Sequence, residues 1–380
     1  MLSTKENFYI NKEEKFCSNT YHPLPVVLSR GKGVYVWDVH GKKYFDFLSS
    51  YSAVNQGHCN RKILNAFLKQ SKKLTLTSRA FYNNELGNSL QYITSIFGYD
   101  KMLPMNSGAE AVEAALKICR KWGYEIKKVK KNKAKIIVCD GNFHGRTTTV
   151  ISFSSCNESK KNFGPLTLGF KIIDYNNVNK LEEALKKDKN IVGFLVEPIQ
   201  GEGGVVVPDD GYLKNSKKLC EKYNVLFIAD EIQTGICRTG KMLACDHEEI
   251  KPDIVILGKA LSGGFYPVSG VLANSDIMGV LKVGQHGSTF GGNPLGSVVA
   301  KESIKFAVDK DLSKNARIMG DLFRHNLEKL KDKHKLIKKV RGKGLLNAIV
   351  LDCEESSKIP WQLSIQMRNN GVLALSLIHI

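Results

Sequence analysis

Two short apolar runs near the middle of the chain constrain its fold more than any other feature. Residues 225–229 and 254–257 are rich in β-branched and aliphatic side chains and are flanked by turn-forming residues. Continuous apolar runs of this length are typical of strands that are buried on both faces of a parallel sheet. The runs lead to Asp230 and Lys259, and open α/β sheets bind ligands just beyond the carboxyl ends of their strands.

Strand-like and helix-like patterns alternate around these two runs. The predicted strands are residues 136–139, 148–153, 191–196, 225–230, 252–257 and 268–273, and the predicted helices are residues 109–122, 178–187 and 211–223. Such alternation predicts a mainly parallel sheet that is covered by helices.

The two ends of the chain depart from this alternation. Residues 1–20 are interpreted as a loose polar segment, and residues 26–47 as short antiparallel strands around glycine turns. Two long amphipathic helices, a strand pair and a last helix follow the glycine-rich stretch 287–296. We therefore expect three parts. They are an N-terminal segment (1–51) that contributes to the small domain and the active site, a large cofactor-binding domain (52–292) and a small C-terminal α+β domain (293–380).

The charged residues at the two strand ends indicate a cofactor. Glycines surround Lys259 in the sequence, and a desolvated amine with a lowered pKa suits a Schiff base with pyridoxal phosphate (PLP). That cofactor also needs an acidic partner for its ring nitrogen, which Asp230 would provide. Considered separately, a surface lysine and a helix-capping aspartate are the simpler interpretation. Together at neighbouring strand ends they favour a cofactor site.

Two further loops are candidates for binding the same ligand. Residues 106–109 open a predicted helix whose N–H groups suit a phosphate, although Ser107 also reads as an ordinary helix cap. In residues 141–146, Phe143 could stack on a flat ring and Arg146 could bind a carboxylate, although a plain turn explains both.

Two more loops at the same sheet edge carry polar groups. Glu197 and Glu202 follow the strand at 191–196, and Ser288 and Thr289 lie in a glycine-rich loop that suits either a phosphate or a hinge between domains. Because all four loops fall at strand ends or helix starts on one predicted edge, their convergence favours a binding site.

Composition and cysteine usage exclude several other classes. No apolar run approaches the roughly 18 residues that a membrane span needs, and the first 20 residues resemble neither a signal peptide nor a transit peptide. The nine cysteines contain no CxxC pair, which predicts reduced thiols and a cytoplasmic protein, with the mitochondrial matrix as the alternative. Cys237, Cys245 and His247 do not have the spacing of a standard zinc site.

The formal net charge of +19 raises nucleic-acid binding as a minor hypothesis. The lysine-rich stretches at residues 121–135 and 331–343 contain no known nucleic-acid-binding motif, and no aromatic residue lies within the lysine runs 127–135 and 331–343. A phosphorylated cofactor and small anionic substrates explain a positive field equally well. We therefore expect no nucleic-acid partner and no membrane partner.

Several long stretches resemble a known family. They include YHPLPVVLSRGKGVYVWDVHGKKYFDFLSSYSAVNQGH, LTSRAFYNN, EPIQGEGGVVVPDDGYL, FIADEIQTG, RTGKM, LGKALSGGFYPVSGVLAN, HGSTFGGNPLG and VRGKGLLNAIV. Together they resemble the class III aminotransferases of fold type I, and within that class the ornithine δ-aminotransferases. The resemblance implies an α/β fold with a large, mainly parallel, helix-covered sheet and a smaller α+β domain. It also implies a PLP cofactor and a homodimer with shared active sites.

The same resemblance implies roles for individual residues. Lys259 and Asp230 would be catalytic, with Lys259 bound to the cofactor and Asp230 beside its ring nitrogen. The implied cofactor contacts are Ser107, Gly108, Ala109, Phe143, His144, Glu197, Asp230, Gln233, Lys259 and Ser288, with Thr289 from the neighbouring subunit. The implied substrate contacts are Tyr21, Tyr51, Arg146 and Glu202.

The implied reaction moves the δ-amino group of ornithine to 2-oxoglutarate and gives glutamate 5-semialdehyde and glutamate. In the family, Glu202 pairs with a C-terminal arginine that later binds the second substrate. Here the resemblance stops after Ala374 and no arginine follows Arg368, so we expect an incomplete C-terminal domain and an unpaired Glu202. The alternatives are an acetylornithine or 4-aminobutyrate aminotransferase, an aminomutase, or an inactive homologue that still binds PLP.

Overall fold

The computed structural model describes residues 3–354 and 356–376 and contains one large sheet and two smaller ones. The strands are β1 Leu28–Lys32, β2 Tyr35–Asp38, β3 Lys43–Asp46, β4 Lys101–Met105, β5 Lys135–Cys139, β6 Phe170–Ile173, β7 Ile191–Val196, β8 Leu226–Asp230, β9 Ile254–Leu257, β10 Ser269–Ala273, β11 Ile337–Lys343, β12 Leu346–Leu351 and β13 Val372–Leu373.

The helices cover the large sheet and also form most of the C-terminal part. They are α1 Thr4–Phe16, α2 Ser49–Ser52, α3 Arg61–Ser71, α4 Leu86–Phe97, α5 Gly108–Glu125, α6 Thr148–Ser152, α7 Val178–Lys187, α8 Tyr212–Lys222, α9 Ser275–Met278, α10 Pro294–Asp309, α11 Leu312–Lys333 and α12 Ile359–Asn369. Segment α2 is a single turn whose central residues have left-handed backbone angles.

The large sheet has the strand order β4-β10-β9-β8-β7-β5-β6. The pairs from β6 to β9 are parallel, whereas β10 is antiparallel to both β9 and β4. Strands β7, β8 and β9 are buried along their whole length, as their continuous apolar sequences predict. The predicted mainly parallel sheet is therefore confirmed, and its parallel strands end at one common edge.

Close packing of helix α5 on this sheet depends on two small residues. A Cβ atom at Gly193 of β7 would lie 2.4 Å from Cys119 Sγ, and one at Gly123 of α5 would lie 2.3 Å from Val192 Cγ1. Because both separations are far shorter than van der Waals contact, only glycine allows the helix to lie this close to the strand. The position of α5 matters because its first turn faces the candidate site.

The N-terminal strands form a separate sheet with a strand from the far end of the chain. Strands β1, β2 and β3 are antiparallel neighbours, and β13 adds to β3 in parallel through the registers Val372–Phe45 and Leu373–Asp46. Strands β11 and β12 form a hairpin. The three-part division at residues 51 and 292 stays a prediction, and residues 377–380 of the divergent C-terminal sequence lie outside the described residues.

Two local predictions were wrong and two strands were missed. Residues 4–16 form a capped helix, in which Ser3 accepts a hydrogen bond from the Glu6 N–H and Glu6 accepts one from the Ser3 N–H. Residues 148–152 form helix α6 instead of a strand, because the Thr147 side chain caps the Val150 N–H. Strands β4 and β6 were not predicted. Among the described residues, the helices fall short of the length and apolarity that crossing a bilayer requires.

Candidate functional site

The candidate site lies at the carboxyl edge of the parallel strands. Strand β8 ends with Asp230, β9 is followed by Gly258 and Lys259, and β7 is followed by Glu197. Since these strands are parallel neighbours in the order β9-β8-β7, their ends bring the three charged side chains to one place. This is where the sequence predicted a ligand.

Asp230 is held by a histidine from a neighbouring loop. His144 Nδ1 lies 2.6 Å from Asp230 Oδ2, and the other carboxylate oxygen accepts the Ile232 N–H at 3.1 Å. Burial would lower the pKa of His144, but the hydrogen bond and negative charge of Asp230, with a contribution from Glu197, raise it. The contact with Asp230 therefore favours the protonated imidazole of His144 and fixes the orientation of the Asp230 carboxyl group.

The amine of Lys259 is desolvated and close to three carboxylates. Burial lowers its pKa, while the charges of Glu202, Asp230 and Glu197 act in the opposite direction. Among the described residues its Nζ has no hydrogen-bond acceptor, and it lies 5.9 Å from the ring centroid of Tyr51. A lysine in these surroundings is readily deprotonated and can act as a nucleophile or as a base.

Glu197 is a second buried carboxylate behind the same site. Its Oε2 accepts the backbone N–H of Phe143 at 3.0 Å. Burial raises the pKa of Glu197 to about 7, and Asp230 adds to this effect while His144 opposes it. Glu197 thus fixes the loop that contains Phe143 and His144.

The first turn of α5 faces this group, as the sequence predicted. Ser107 caps the helix, and Glu110 Oε2 accepts the N–H groups of Asn106 and Ser107 at 2.8 and 3.2 Å. The N–H groups of Gly108 and Ala109 remain at the open end of the helix, where an anion is favoured. A phosphate seat at this helix start is therefore available despite the capping carboxylate.

Two glycines bring this helix start close to the other loops. A Cβ atom at Gly145 would lie 3.0 Å from Ala109 Cβ. A Cβ atom at Gly258 would lie 3.2 Å from Ile232 Cγ2 and 3.7 Å from Gly108 Cα. Because these backbones approach so closely, the helix start, the Phe143 loop and the lysine segment form one continuous wall.

The glycine-rich loop at residues 287–292 reaches the helix start. Ser288 Oγ lies 3.0 Å from Asn106 Nδ2, so Ser288 belongs to the same group of residues. The neighbouring Thr289 is exposed, and its side chain forms no hydrogen bond with the described residues. The structure thus brings Ser288 to the helix start, whereas Thr289 is open to solvent.

A cavity of about 170 Å³ opens beside Phe143 and Arg146. Its walls also include His144, Gly145, Asn142, Gly141, Val150, Ser154, Ser155, Cys156, Ser159, Glu202 and Gly203. The Arg146 guanidinium lies 5.7 Å from the centroid of the Phe143 ring. The cavity therefore combines an aromatic face with one cationic and one acidic side chain, which suits a small zwitterionic or dicarboxylate ligand.

Glu202 is paired with a neutral group and not with a nearby cation. Burial raises its pKa, and a hydrogen bond with Gln233 and the charges of Lys259 and Arg146 partly oppose this effect. Across residues 3–354 and 356–376, Glu202 makes no ion pair within 4.0 Å. A raised pKa is the direction expected for a buried carboxylate without a cationic partner.

Tyr51 and Tyr21 complete the entrance. Burial, with the negative charge of Glu202 and the proximity of Tyr21, raises the pKa of Tyr51. Tyr51 is half-buried, whereas Tyr21 is largely exposed. Of the predicted substrate-binding residues, Arg146 and Glu202 line the cavity, Tyr51 lies beside Lys259, and Tyr21 is the least enclosed.

The residues present fit PLP. The sheet edge brings together the groups that this cofactor needs. They are an acidic group for its ring nitrogen, an amine for its aldehyde, an aromatic side chain for its ring and a helix start for its phosphate. A further observation supports the fit, since a Cβ atom at Gly201 would lie 1.8 Å from Gln233 Oε1. Only glycine leaves room for Gln233 to reach this side of the site.

Some of the residues that shape the site were not predicted from the sequence. Glu110 orders the helix start, and Arg238, Asn55 and Asp46 order the segment that contains Tyr51. The RTG motif contains Arg238 and was noted only as a resemblance. Cys237, Cys245 and His247 form no metal-binding group, and within the described residues no cluster of three or more His, Cys, Asp and Glu side chains has the geometry to hold a metal ion.

Comparison with known proteins gives consistent results. A family model described as "Aminotransferase class-III" matches residues 16–378. The mitochondrial ornithine aminotransferase of Drosophila melanogaster is 55% identical over 364 residues, which cover 96% of this chain and 83% of that protein.

Two of the solved structures that resemble this chain have related names. The ornithine aminotransferase of Toxoplasma gondii has a TM-score of 0.96 and 48% identity, with 100% of this chain and 89% of that chain covered. An acetylornithine aminotransferase from Elizabethkingia anophelis has a TM-score of 0.90 and 55% identity, with 98% and 91% covered.

Proposed function

This chain belongs to the class III aminotransferases, and from that premise we propose that it transfers the δ-amino group of L-ornithine to 2-oxoglutarate. It is a PLP-dependent transaminase. The products of the proposed reaction are glutamate 5-semialdehyde and glutamate. The observation that carries the proposal is the meeting of a desolvated lysine, Lys259, with the Asp230–His144 pair at adjacent strand ends.

The residues around the sheet edge would hold the cofactor as follows. Lys259 would bind its aldehyde through Nζ, and Asp230 would face its ring nitrogen. Phe143 would lie against the ring, and the N–H groups of Gly108 and Ala109 would bind its phosphate. We expect these contacts to be supported by Gln233, Ser107, His144, Glu197 and Ser288 from the positions described above.

PLP supplies a ring that withdraws electrons from a carbon next to the transferred amine. Asp230, which His144 orients, would place its negative charge where it stabilises a protonated ring nitrogen. Burial keeps the pKa of Lys259 low, so its Nζ can take a proton from carbon and return it. The buried surroundings of Asp230 and Glu197 exclude bulk water and strengthen both effects.

The other end of the substrate would be bound at the entrance. Tyr21, Tyr51 and Arg146 would contact the α-amino and α-carboxylate groups of ornithine, and this would direct its δ-amine towards Lys259. Glu202 is close enough to both Lys259 and Arg146 for their positive charges to lower its pKa, which burial raises. The same Arg146 would bind a carboxylate of 2-oxoglutarate in the second half of the reaction.

A single-turnover experiment tests the substrate. Wild-type protein loaded with PLP is mixed with L-ornithine or N-acetylornithine, and the cofactor absorbance and the aldehyde product are both measured. We expect a faster change and more aldehyde with ornithine, and none with Lys259→Ala. A response to N-acetylornithine but not to ornithine would reject the proposed substrate while leaving the family unaffected.

A second candidate is favoured by one observation. The Elizabethkingia anophelis protein named as an acetylornithine aminotransferase is 55% identical to this chain. The same experiment with N-acetylornithine and 4-aminobutyrate therefore decides between relatives of one family. Binding of PLP without turnover of any of these amines would instead support an inactive homologue.

The second half of the reaction needs its own measurement. After one turnover with ornithine, 2-oxoglutarate is added and glutamate is measured. We expect the original cofactor absorbance to return, because Arg146 remains available for a carboxylate. Completion of the first half alone would show that this chain lacks a group needed for the second substrate.

We also propose that two copies share each site. Three exposed apolar side chains, Phe81, Tyr82 and Val283, form no core contact within the described part of the chain, and Thr289 is free to contact a second copy. Thr289→Ala is expected to weaken PLP binding by about tenfold, the size expected for loss of a hydrogen bond to a phosphate. A protein that is monomeric by light scattering and fully active in the transamination assay would contradict the proposal.

The compartment is proposed from sequence and one relative. The expectation is cytoplasmic, with the mitochondrial matrix as the alternative that the Drosophila name supports. Microscopy of the tagged full-length protein, with the tag at the C-terminus, distinguishes them. Nucleic-acid binding stays a minor hypothesis, and failure to bind duplex or single strands at low salt would reject it.

A further inference from the structure

The segment that contains Tyr51 has an unusual backbone. Four consecutive non-glycine residues have positive φ, namely Ser49 (54°), Ser50 (46°), Tyr51 (56°) and Ser52 (75°). Left-handed angles are unfavourable for residues with a Cβ atom and normally occur singly. A complete left-handed turn of serines and tyrosine therefore persists only where the surrounding structure holds it.

Hydrogen bonds fix the start of this turn. Asp46 Oδ1 accepts the N–H groups of Leu48 at 3.0 Å and Ser49 at 2.8 Å. Asp46 Oδ2 lies 2.6 Å from His58 Nε2. Burial would raise the pKa of Asp46, but the bonds from His58 and the Ser49 N–H lower it. Asp46 is therefore an ionised acceptor at the base of the turn.

Arg238 contacts both ends of the same turn. Its Nη2 donates to Ser49 Oγ at 3.0 Å and also to Asn55 Oδ1. Asn55 Nδ2 in turn donates to the carbonyl oxygen of Ile236 at 2.9 Å, on the segment that precedes Arg238. One guanidinium thus links the first residue of the turn to the segment that follows it.

Within residues 3–354 and 356–376, no carboxylate forms an ion pair with the Arg238 cation. Among the described residues its acceptors are the neutral oxygens of Ser49, Asn55 and Leu345, and its Nε is buried without an acceptor. Burial lowers the pKa of Arg238 to about 10, and the charge of Asp46 opposes this. A partly buried arginine without an anionic partner is costly, which suggests a requirement other than stability.

Arg238 also connects the turn to the β11–β12 hairpin. Its Nη1 donates to the carbonyl oxygen of Leu345 at 3.1 Å, and the Leu345 N–H donates to the Arg238 carbonyl oxygen at 2.9 Å. A Cβ atom at Gly344 would lie 2.3 Å from the carbonyl carbon of Thr239. The hairpin therefore packs backbone against backbone on the segment that contains Arg238.

We propose that Arg238 is a positioning residue for substrate selection, because its fork-shaped side chain holds the left-handed turn that places Tyr51 over Lys259. The inference rests on the proposed function, since Tyr51 is the proposed contact for the α-end of ornithine. Arg238 touches neither cofactor nor substrate and acts through Ser49 and Asn55. The β11–β12 hairpin supports this arrangement from the other side.

The test compares two amines in single-turnover experiments on the PLP-loaded protein. Ornithine has the α-amino and α-carboxylate groups that Tyr51 would help to orient, whereas 1-aminobutane has a terminal amine and neither group. Arg238→Lys keeps the charge but cannot donate to Ser49, Asn55 and Leu345 together. We expect the half-saturating ornithine concentration to rise by about tenfold, the size expected for lost hydrogen bonds from a charged donor, and the rate with 1-aminobutane to stay unchanged.

A structural readout that does not depend on activity accompanies this comparison. Amide hydrogen exchange of the cofactor-free protein is measured for the segment 48–55, where the N–H groups of Tyr51, Ala53 and Val54 are bonded within the turn. Faster exchange in this segment alone is expected for Arg238→Lys. Unchanged exchange there would overturn the proposal even if ornithine turnover falls.

Two more variants separate positioning from general damage. Arg324→Lys is the matched control, because Arg324 Nη1 donates to Gly344 O and Asn347 Oδ1 of the same hairpin but does not touch the turn. It should leave the ratio between the two amines unchanged. Adding Ser50→Gly to Arg238→Lys should restore part of the ornithine affinity, because glycine adopts a positive φ without strain.

The possible results distinguish failure of the inference about Arg238 from failure of the proposed function. An equal loss with both amines, or the same loss in Arg324→Lys, would show that Arg238 is only structural and would overturn the inference. No change with ornithine would also overturn it. If wild-type protein fails to react with ornithine, the proposed function is wrong. The hydrogen-exchange result then still reports whether Arg238 holds the turn.

Discussion

Two aspartate–histidine pairs in this molecule have the same separation of 2.6 Å but lie in different surroundings. His144 and Asp230 sit below the candidate cofactor site, and their side chains are 0% and 5% exposed. His58 and Asp46 sit below the left-handed turn, and their side chains are 21% and 11% exposed. One pair ends a buried parallel strand, whereas the other joins a small sheet to a loop.

The difference shows how one type of contact serves two purposes. Asp230 uses one oxygen for His144 and one for the Ile232 N–H, so the strand and the loop fix a charge that can act on a ligand. Asp46 Oδ1 accepts the N–H groups at the start of the turn, so this carboxylate stabilises the backbone and does not face a ligand. We therefore expect the first pair to control chemistry directly and the second to control it through Tyr51.

The largest expected difference is in turnover. Asp230→Asn should lower kcat for ornithine by about a thousandfold, since a preorganised charge at a reacting centre contributes on the order of 10²–10³. Asp46→Asn should lower it by about tenfold or less, because the amide oxygen can still accept the turn's N–H groups. Steady-state assays with ornithine and 2-oxoglutarate measure both. Equal losses would remove the distinction between the pairs.

The next difference is in the stability of the cofactor-free protein. His144→Ala leaves Asp230 buried and unpaired, which should cost about 3 kcal/mol. His58→Ala leaves Asp46 with two backbone donors and partial access to water, so the loss should be about 1 kcal/mol. Urea unfolding at pH 6 compares the two variants with wild type. A larger loss for His58→Ala would reverse the assignment of the buried pair.

The smallest difference concerns pH. The pKa of His144 is raised above its ordinary value of 6.5, so its contribution to stability is complete below pH 6.5 and is lost as the pH rises through the raised value. The pKa of Asp46 is lowered below 3.8, so its contribution is present above that pH and is lost as the pH falls further.

Unfolding free energies measured across pH should therefore lose their alkaline slope in His144→Ala and their acid slope in Asp46→Asn. Urea unfolding repeated over a series of pH values measures both slopes. Glu197 faces the first pair, and its own pKa is raised to about 7, so it also removes stability as the pH rises towards that value. The Glu197→Gln variant measures that contribution separately. An alkaline slope that His144→Ala leaves intact would refute the assignment to His144.

Most of the sheet edge was predictable because its signals are local. Asp230 and Lys259 are charged residues at the ends of fully apolar runs, which is a clear signal in the sequence. Parallel strands then bring such ends together. The α6 prediction failed because Thr148, Val150 and Ile151 favour strands on their own, whereas the cap from Thr147 decides for a helix. A local side-chain cap overrode strand propensity there.

The left-handed turn could not be predicted from its residues. Positive φ is usually marked by glycine or asparagine, whereas this turn consists of Ser49, Ser50, Tyr51 and Ser52. What holds it is Arg238, which lies 189 residues from Ser49 in sequence. A conformation that depends on so distant a donor leaves no sign in its own sequence, and the hydrogen-bond partners of Arg238 became visible only in the folded chain.

The parallel pairing of β13 with β3 has a consequence for how the chain is made. Lys42 donates to the carbonyl oxygen of Asn369, 327 residues further on, and Phe45 is aligned with Val372. During synthesis the early sheet keeps an open edge until residues 369–373 have left the ribosome. All strands of the large sheet lie between Lys101 and Ala273, so that sheet can pair fully before the edge of the small sheet is filled.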